Sequence, residues 1–260
     1  VDQICLKKRA VFLKVEPDLW VEAVPPPEAP PLAFDHPTCL TLEASAPPPG
    51  FVISPKTIQP PRTLVVDITG SEDQVLARFR SKTRYNVRLS QRRGVRVSSS
   101  TDIGLFSQLM QETGERDAFG VHSRDYYQRA LDLLRNHAEL LIAVLDDEPI
   151  AALFVVAQGR RAAYLYGASS SNHRDAMPTY LIQWEAMRWA RGQGCVEYDL
   201  WGVPDTNLET LEAEFTQRSD ELWGVYRFKR GFGGELRRSA GAWDKVYNRV
   251  LYNIYRRFVV

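Results

Sequence analysis

One lysine in the sequence stands directly before a run of closely spaced glycines. Lys229 lies in the segment Phe228–Gly234, which reads FKRGFGG. A lysine on a strand that turns through glycine can be held rigidly beside a cleft, where its ammonium group suits an oxyanion or a phosphate. The same spacing also fits a surface cation beside a structural glycine turn. The glycines do not follow the GxxxxGK[ST] pattern, which excludes an ATP-binding loop of that type.

A second candidate is the basic segment Arg78–Arg96, which contains eight lysines and arginines and no acidic residue. Read as a helix, it places four arginines on one face at intervals of four: Arg80, Arg84, Arg88 and Arg92. Like charges at this spacing repel one another weakly unless an anion lies along them. The pattern therefore fits recognition of a phosphate or carboxylate, and it equally fits a solvated basic helix face.

Two further segments combine polar and aromatic residues at the ends of predicted elements. In Tyr198–Asp205 a predicted strand ends in a Gly/Pro turn, and strand ends are common site positions in open α/β sheets. Asp199 in this segment fits a site residue, and it also fits a strand-edge residue or a cap of the following turn. The segment Thr113–Tyr127 offers Arg124 and Tyr127 at the start of a helix.

Composition and charge limit the classes of protein to which the chain can belong. The chain has 260 residues, 44% of them hydrophobic and 25% charged, so it can bury a sizeable core. The net charge of +1 does not indicate a protein that coats nucleic acid through its overall field. Charge is instead segregated, with an acidic stretch at Glu197–Glu221 and a basic stretch at Arg227–Arg257. Three scattered cysteines and four unpaired histidines predict no disulfide framework and no metal site, and no apolar run is long enough for a membrane span.

The first seventy residues predict few regular elements. Thirteen of the sixteen prolines lie in Pro17–Pro61. Strands are predicted at Ala10–Val15 and Thr63–Ile68, with a short helix around Cys39–Ala44. So few strands cannot close a core alone. This region is therefore either an appendage of the rest or the back half of a domain whose front half is not in the sequence.

The remaining residues alternate between helical and strand periodicity. The predicted helices are Ser71–Gly94, Asp102–Glu112, Ser123–His137, Pro178–Arg191, Asn207–Phe215 and Ala242–Phe258. The predicted strands are Val95–Ser98, Glu139–Leu145, Ile150–Ala157, Ala162–Ala168, Cys195–Trp201 and Leu222–Phe228. This order is that of an acetyltransferase-like (GNAT) fold of the α/β (α+β) class, by analogy of fold alone. We expect residues 1–70 to be the back half of a first such domain, 71–240 a complete second one, and 241–260 a helix that packs back on the first.

The expected acyl-CoA turn is missing. The tight polar turns between the strands Glu139–Leu145, Ile150–Ala157 and Ala162–Ala168 predict an antiparallel meander. Acetyl-CoA-dependent enzymes of this fold usually bind the pyrophosphate on a glycine-containing [QR]xxGx[GA] turn before the helix that follows this meander. Here that position reads SSSNHRDAMPTY and has no glycine. The sequence thus argues against ordinary use of acyl-CoA.

Taken together and in this order, the motifs resemble the Fem family of peptidoglycan bridge aminoacyltransferases (FemA, FemB and FemX types). The resemblance covers about Ala10 to the C-terminus. It is carried by Ile58-Gln59-Pro60 with Thr63, Lys82–Arg88 (KTRYNVR), Gly94-Val95, Tyr126-Tyr127, Tyr198–Gly202 (YDLWG) and Phe228–Gly234. No segment supplies the long helical arm of the glycyl-type members. The chain is therefore most similar to the compact FemX type, without the front part of the first domain.

The resemblance implies an enzyme that transfers an amino acid from aminoacyl-tRNA to the side-chain amine of the third stem-peptide residue, on UDP-MurNAc-pentapeptide or lipid II. It implies no cofactor or metal, with aminoacyl-tRNA as co-substrate. The matching lysine, Lys229, is the implied catalytic residue. Residues expected to contact substrate are Arg84, Tyr85, Asn86, Arg124, Tyr127, Tyr180, Asp199, Trp201 and Phe228. Residues expected to contact tRNA phosphates are Arg230, Arg237 and Arg238.

Two alternatives from other classes stay open at the level of sequence. One is an acyltransferase of the same fold that uses a small acyl donor. The other is a non-catalytic module for nucleic acid or a membrane surface, because the C-terminal helix combines aromatic and basic residues. For the aminoacyltransferase we expect a cytoplasmic monomer, with peripheral contact to the inner face of the cell membrane as a further expectation.

Overall fold

The computed structural model describes residues 1–25 and 46–259, and the helix predicted around Cys39–Ala44 lies outside these ranges. The strands, in chain order, are β1 (Phe12–Val15), β2 (Trp20–Val24), β3 (Val52–Ile53), β4 (Arg62–Asp67), β5 (Arg96–Ser100), β6 (Ala138–Leu145), β7 (Glu148–Gln158), β8 (Arg161–Ser169), β9 (Glu197–Val203), β10 (Glu235–Ser239) and β11 (Trp243–Val246). The α-helices are α1 (Asp2–Lys7), α2 (Glu72–Arg78), α3 (Ser81–Arg92), α4 (Ile103–Asp117), α5 (Arg124–Leu134), α6 (Pro178–Gly192), α7 (Leu208–Glu214), α8 (Trp223–Lys229) and α9 (Arg249–Val259). None of the helices in these ranges is long and apolar enough to cross a membrane.

The chain divides into two compact units. The first comprises Val1–Leu64, Gly202–Arg227 and Glu235–Val260, and the second comprises Val65–Trp201 and Phe228–Gly234. Residues 202–227 and 235–240 belong to the first unit by this division. The sequence instead predicts that they are part of one continuous domain over residues 71–240. The assignment of residues 1–70 to the back half of a GNAT-like domain stays a prediction.

The second unit is built on a sheet whose strands lie in the order β4-β9-β8-β7-β6-β5. Strands β6, β7 and β8 form the antiparallel meander that the sequence predicts. Strand β5 adds to it antiparallel to β6, whereas β8 and β9 are parallel. A two-residue turn joins β6 to β7, with φ of 49° at Asp146 and 62° at Asp147. Positive φ at both central residues is the geometry that matches the twist of a tight hairpin.

Helices pack on both faces of this sheet. On one face α4 and α5 enclose a buried cluster that includes Phe106, Tyr127 and Phe154. On the other, α6 packs on β7 and α3 packs on α6. Both faces are therefore covered, and the apolar positions of β6 and β7 are buried almost without interruption.

The first unit contains an antiparallel sheet in the order β1-β11-β3 and an antiparallel pair of β2 with β10. Helix α9 packs on β1 through Phe12, whose ring centroid lies 5.3 Å from that of Tyr252. Beneath this contact Asp244 is fully buried. Its carboxylate accepts a hydrogen bond from the Tyr252 hydroxyl at 2.7 Å and pairs with Lys14 at 3.0 Å. A buried carboxylate with a cation and a hydroxyl donor is a satisfied one.

The single basic helix predicted over Ser71–Gly94 is wrong. The structure has two helices, because Phe79 and Arg80 are extended, with ψ of 148° and 150°. Ser71 is the N-cap of α2 as predicted, in a capping box with Gln74. The break makes Arg80 the N-cap of α3 instead of a member of a continuous arginine row.

Two other predicted elements change type. Leu222–Phe228 forms most of α8 instead of a strand, because burial recurs every three residues at Trp223, Tyr226 and Lys229. The predicted helix Ala242–Phe258 starts with strand β11, and α9 begins only after it. In both segments aromatic and β-branched residues leave the local periodicity ambiguous, and packing selects the outcome.

Candidate active site around Lys229

Lys229 is the last residue of α8 and is followed by a 3₁₀ turn, Arg230–Phe232. The side chain is buried, with 4% of its surface exposed, so the interpretation as a surface cation is wrong. Lysine is almost never fully buried without a reason. Its ammonium nitrogen, Nζ, lies 5.7 Å from the ring centroid of Tyr164 on β8.

Burial lowers the pKa of Lys229 from 10.5 to about 7, because an interior of low polarity disfavours the charged form. The negative charge of Asp199 acts in the opposite direction and raises it. Near neutral pH the amine therefore exchanges between its charged and neutral forms, so neighbouring charges decide how much of it is protonated.

The glycine turn after Lys229 is fitted against the start of α3. The amide of Arg80 donates to the carbonyl of Gly231 at 2.9 Å. A Cβ at Gly231 would overlap Oγ1 of Thr83, and one at Gly233 would lie 2.6 Å from the carbonyl oxygen of Arg78. The KTRYN and FKRGFGG motifs, far apart in sequence, therefore meet in one place.

The other residues of the KTRYN motif have diverse environments. Arg84 donates to the carbonyl of Ala77 at 3.3 Å and to that of Phe79, so it binds the free carbonyls at the end of α2. Tyr85 is exposed and its ring lies 5.6 Å from the Arg92 guanidinium. Asn86 is buried. The substrate contacts expected of these three residues stay predictions.

Asp199 lies within β9, two residues before Trp201, and its charge acts on Lys229. Asp199 is buried, and its Oδ1 accepts a hydrogen bond from the Trp201 amide at 2.8 Å. Trp201 has a φ of 65°, a left-handed conformation that bulky residues rarely adopt. The strand is therefore locally distorted at Trp201, and the Trp201 amide holds the Asp199 carboxylate.

Tyr164 is a site residue that sequence reasoning missed. The pairing of β7 with β8 skips Leu165, so Phe154 lies opposite Tyr166 and Val155 opposite Tyr164. This β-bulge sends the two tyrosines to opposite faces of the sheet. No local sequence signal marks the bulge, since Arg161–Ser169 alternates like an ordinary strand.

A glutamine on α6 anchors two phenols beside the lysine. Gln183 accepts a hydrogen bond from the Tyr198 hydroxyl at 2.9 Å and also bonds Tyr164. Burial raises the pKa of Tyr164 to about 12 and also raises that of Tyr198. Both phenols are thus neutral hydrogen-bonding groups at physiological pH.

An aromatic cluster lies on the other side of the glycine turn. The ring of Tyr180 is 5.0 Å from that of Phe228 and 5.9 Å from that of Phe232. The structure thus brings Tyr180 and Phe228, both expected at the substrate, to the residues that flank Lys229. Their direct contact with substrate stays a prediction.

Arg124 and Tyr127 are not brought to Lys229. Tyr127 is buried in the cluster on the opposite face of the sheet, where its hydroxyl accepts a hydrogen bond from the amide of His122 at 3.2 Å. Arg124 is exposed at the start of α5. The neighbour of Tyr127, Tyr126, is the half-exposed member of the pair and bonds the Tyr166 hydroxyl at 3.0 Å.

The three cations expected at tRNA phosphates also differ in exposure. Arg237 is buried and its Nε pairs with Glu235 at 2.6 Å, which places it in the interior instead of on the surface. Arg238 forms a bidentate pair with Asp205, at 3.1 and 3.2 Å. Arg230 is half-buried in the turn after Lys229. The tRNA contact of Arg230 and Arg238 stays a prediction.

In the loop before α6, a carboxylate of the protein itself accepts hydrogen bonds from the loop. Glu112 on α4 accepts hydrogen bonds from the Ser171 amide at 2.6 Å and the Ser170 hydroxyl at 3.2 Å. These bonds lower the pKa of Glu112, so it carries its negative charge inside the loop. A carboxylate at this position repels a diphosphate.

In residues 1–25 and 46–259, no three His, Cys, Asp or Glu side chains converge as a metal site.

Comparison with known proteins gives a consistent family. The model of the FemAB family matches residues 3–148 and 145–258. The lipid II:glycine glycyltransferase of Staphylococcus haemolyticus is 28% identical over 271 residues, which cover 78% of this chain and 62% of that protein. The lipid II:glycine glycyltransferase of Staphylococcus saprophyticus is 26% identical over 324 residues, covering 97% of this chain and 72% of that protein. This chain thus spans about three fifths of the length of the first relative.

A solved structure shows the same fold. The crystal structure of FemX superimposes with a TM-score of 0.75 at 23% identity, covering 97% of this chain and 76% of that chain. The expectation of a GNAT-like α/β fold is confirmed.

Proposed function

The chain belongs to the FemAB family, and on that premise we propose that it is a peptidoglycan bridge aminoacyltransferase. It takes an amino acid from an aminoacyl-tRNA and joins it to the side-chain amine of the third stem-peptide residue. The names of the staphylococcal relatives favour lipid II over UDP-MurNAc-pentapeptide as the acceptor. With a lipid-linked acceptor, the reaction takes place at the inner face of the membrane.

The observation that carries this proposal is the buried amine of Lys229 at the junction of the two motifs. An ammonium group in a site of low polarity stabilises a neighbouring negative charge far better than it would in water. The glycine turn and α3 fix the lysine backbone, so the charge needs little reorganisation during the reaction. A fixed cation of this kind stabilises the oxyanion that forms during aminolysis of an ester.

The reaction balances without a covalent enzyme intermediate. The acceptor amine attacks the ester carbonyl carbon of the aminoacyl-tRNA and forms a tetrahedral oxyanion. Collapse of this intermediate breaks the bond to the ribose oxygen and forms the amide. The proton lost by the amine passes to the departing ribose oxygen, relayed by the adjacent tRNA hydroxyl. Lys229 in its ammonium form stabilises the oxyanion or the developing alkoxide.

Glu112 argues against a small-acyl-donor acyltransferase. Acyl-CoA binding on this fold uses free amides in the turn before α6, whereas here Glu112 occupies the amide of Ser171. The carboxylate would have to leave before a diphosphate could bind. The structure therefore favours a donor that is not held through that turn.

The test is transfer of a radiolabelled amino acid from a mixed charged tRNA pool to lipid II and to UDP-MurNAc-pentapeptide in parallel reactions. We expect product from charged tRNA with lipid II, and none after deacylation of the tRNA. Acetyl-CoA is titrated by calorimetry as the competing donor. Acetyl-CoA binding together with an absence of tRNA-dependent product would overturn the proposal.

A further inference from the structure

The two strands beside Lys229 separate at the point where the lysine lies. The parallel pairing of β8 with β9 ends at Ala163 and Asp199. The next residue of β8 is Tyr164, whose ring centroid is 5.7 Å from Nζ of Lys229. A buried carboxylate, a phenol and a buried amine are therefore confined to the end of the paired region.

The carboxylate at this point is held by the backbone. Oδ1 of Asp199 accepts a hydrogen bond from the Trp201 amide at 2.8 Å, and Trp201 has a φ of 65° within β9. A bulky residue in the left-handed region is strained, and such strain persists only where the surrounding structure imposes it. The backbone of the protein itself thus orients Asp199.

We propose that Asp199 is a positioning residue that keeps the amine of Lys229 protonated in the interior, and that it is not a ligand of the substrate. The consequence for catalysis rests on the proposed function, because only the ammonium form stabilises an oxyanion. The electrostatic part of the inference does not depend on which reaction the protein catalyses.

The groups around the amine support this assignment. Burial lowers the pKa of Lys229 to about 7, and the charge of Asp199 acts in the opposite direction and raises it. Tyr164 and Tyr198 have raised pKa values and are neutral. Arg80 at the start of α3 and Arg230 in the glycine turn are positive and give no support to a protonated amine.

The experiment removes the charge of Asp199 and keeps its shape. In Asp199→Asn, we expect the pKa of Lys229 to fall by about one unit or more, measured by NMR of protein labelled at the lysine amines and assigned with Lys229→Arg. The pH at which transfer is lost as pH rises should fall by the same amount, and transfer at low pH should return towards the wild-type rate. Asp199→Ser is a second variant, because its hydroxyl can still accept the Trp201 amide without a charge. Asp175→Asn, at an exposed carboxylate, is the matched control.

The outcomes separate this inference from the proposed function. An unchanged pKa of Lys229 in both folded variants would overturn the inference, whatever the activity. An equal loss of transfer at every pH would assign Asp199 to the substrate instead. If the wild-type protein itself transfers nothing and Asp199→Asn still lowers the pKa of Lys229, the electrostatic role is supported and only the proposed function is contradicted.

Discussion

Thr83 and Gly231 fit against each other so closely that a side chain at position 231 would overlap the Thr83 hydroxyl. Thr83 belongs to the KTRYN motif and Gly231 to the FKRGFGG motif, and 147 residues lie between them in the chain. Their contact fixes the turn that follows Lys229. The position of the Lys229 amine therefore depends on Gly231, which has no side chain that could take part in the reaction.

We predict that Gly231→Ala destabilises the protein by about 1–3 kcal/mol, since overpacking at a tight contact costs this much. Urea denaturation gives the free energy of unfolding. In a Thr83→Ala background the added methyl has room, so the cost should shrink. An equal cost in both backgrounds would contradict the assigned contact.

We predict that Lys229→Met reduces transfer by about 10²–10³-fold, the usual effect of removing one group that stabilises an oxyanion. The fold should be retained, because a buried charge is replaced by an apolar side chain of similar length. Initial rates with saturating aminoacyl-tRNA measure the loss. Lys7→Met, at an exposed lysine of α1, is the control and should transfer normally. Wild-type rates in Lys229→Met would refute the assigned role.

The lowered pKa of Lys229 also predicts how stability depends on pH. Between about pH 7 and 10.5 the unfolded chain binds a proton at this lysine that the folded protein has released. The contribution of Lys229 to stability therefore rises with pH across that window and is least favourable below it. We expect Lys229→Met to have a higher free energy of unfolding than the wild type near pH 6. The difference between the two free energies should become smaller towards pH 10. Urea denaturation over that range measures this difference, and a difference independent of pH would show that the amine is charged in the folded protein throughout.

Burial of the Arg237–Glu235 pair predicts a structural role for Arg237. Arg237→Met should cost about 3–5 kcal/mol, because it removes a buried cation that pairs with the buried carboxylate of Glu235. The double variant with Glu235→Leu should recover much of this loss. Arg238→Met is the comparison: this half-exposed arginine should change stability by about 1 kcal/mol or less. Thermal unfolding of all three variants tests the order, and a small cost for Arg237→Met would show that its charge is exposed to solvent.

The sequence by itself determined the local features of the fold. The period-two segments gave the meander β6–β8, and polar caps located the starts of α2, α5 and α7 at Ser71, Ser123 and Asn207. The family followed from motifs, since KTRYN and FKRGFGG are recognisable without a structure. Helix caps, strand alternation and short motifs are readable because each depends on residues that are close in the chain.

Only the tertiary structure decided what the motif residues do. Lys229 is buried because α8, a helix where alternation predicts a strand, turns it inward beside β8 and β9. Tyr164 reaches it through a bulge, and Arg237 lies in the interior although its neighbour Arg238 does not. Burial, bulges and ion pairs arise from contacts between residues distant in the chain. Local periodicity carries no record of them, and the pKa of a lysine depends on them.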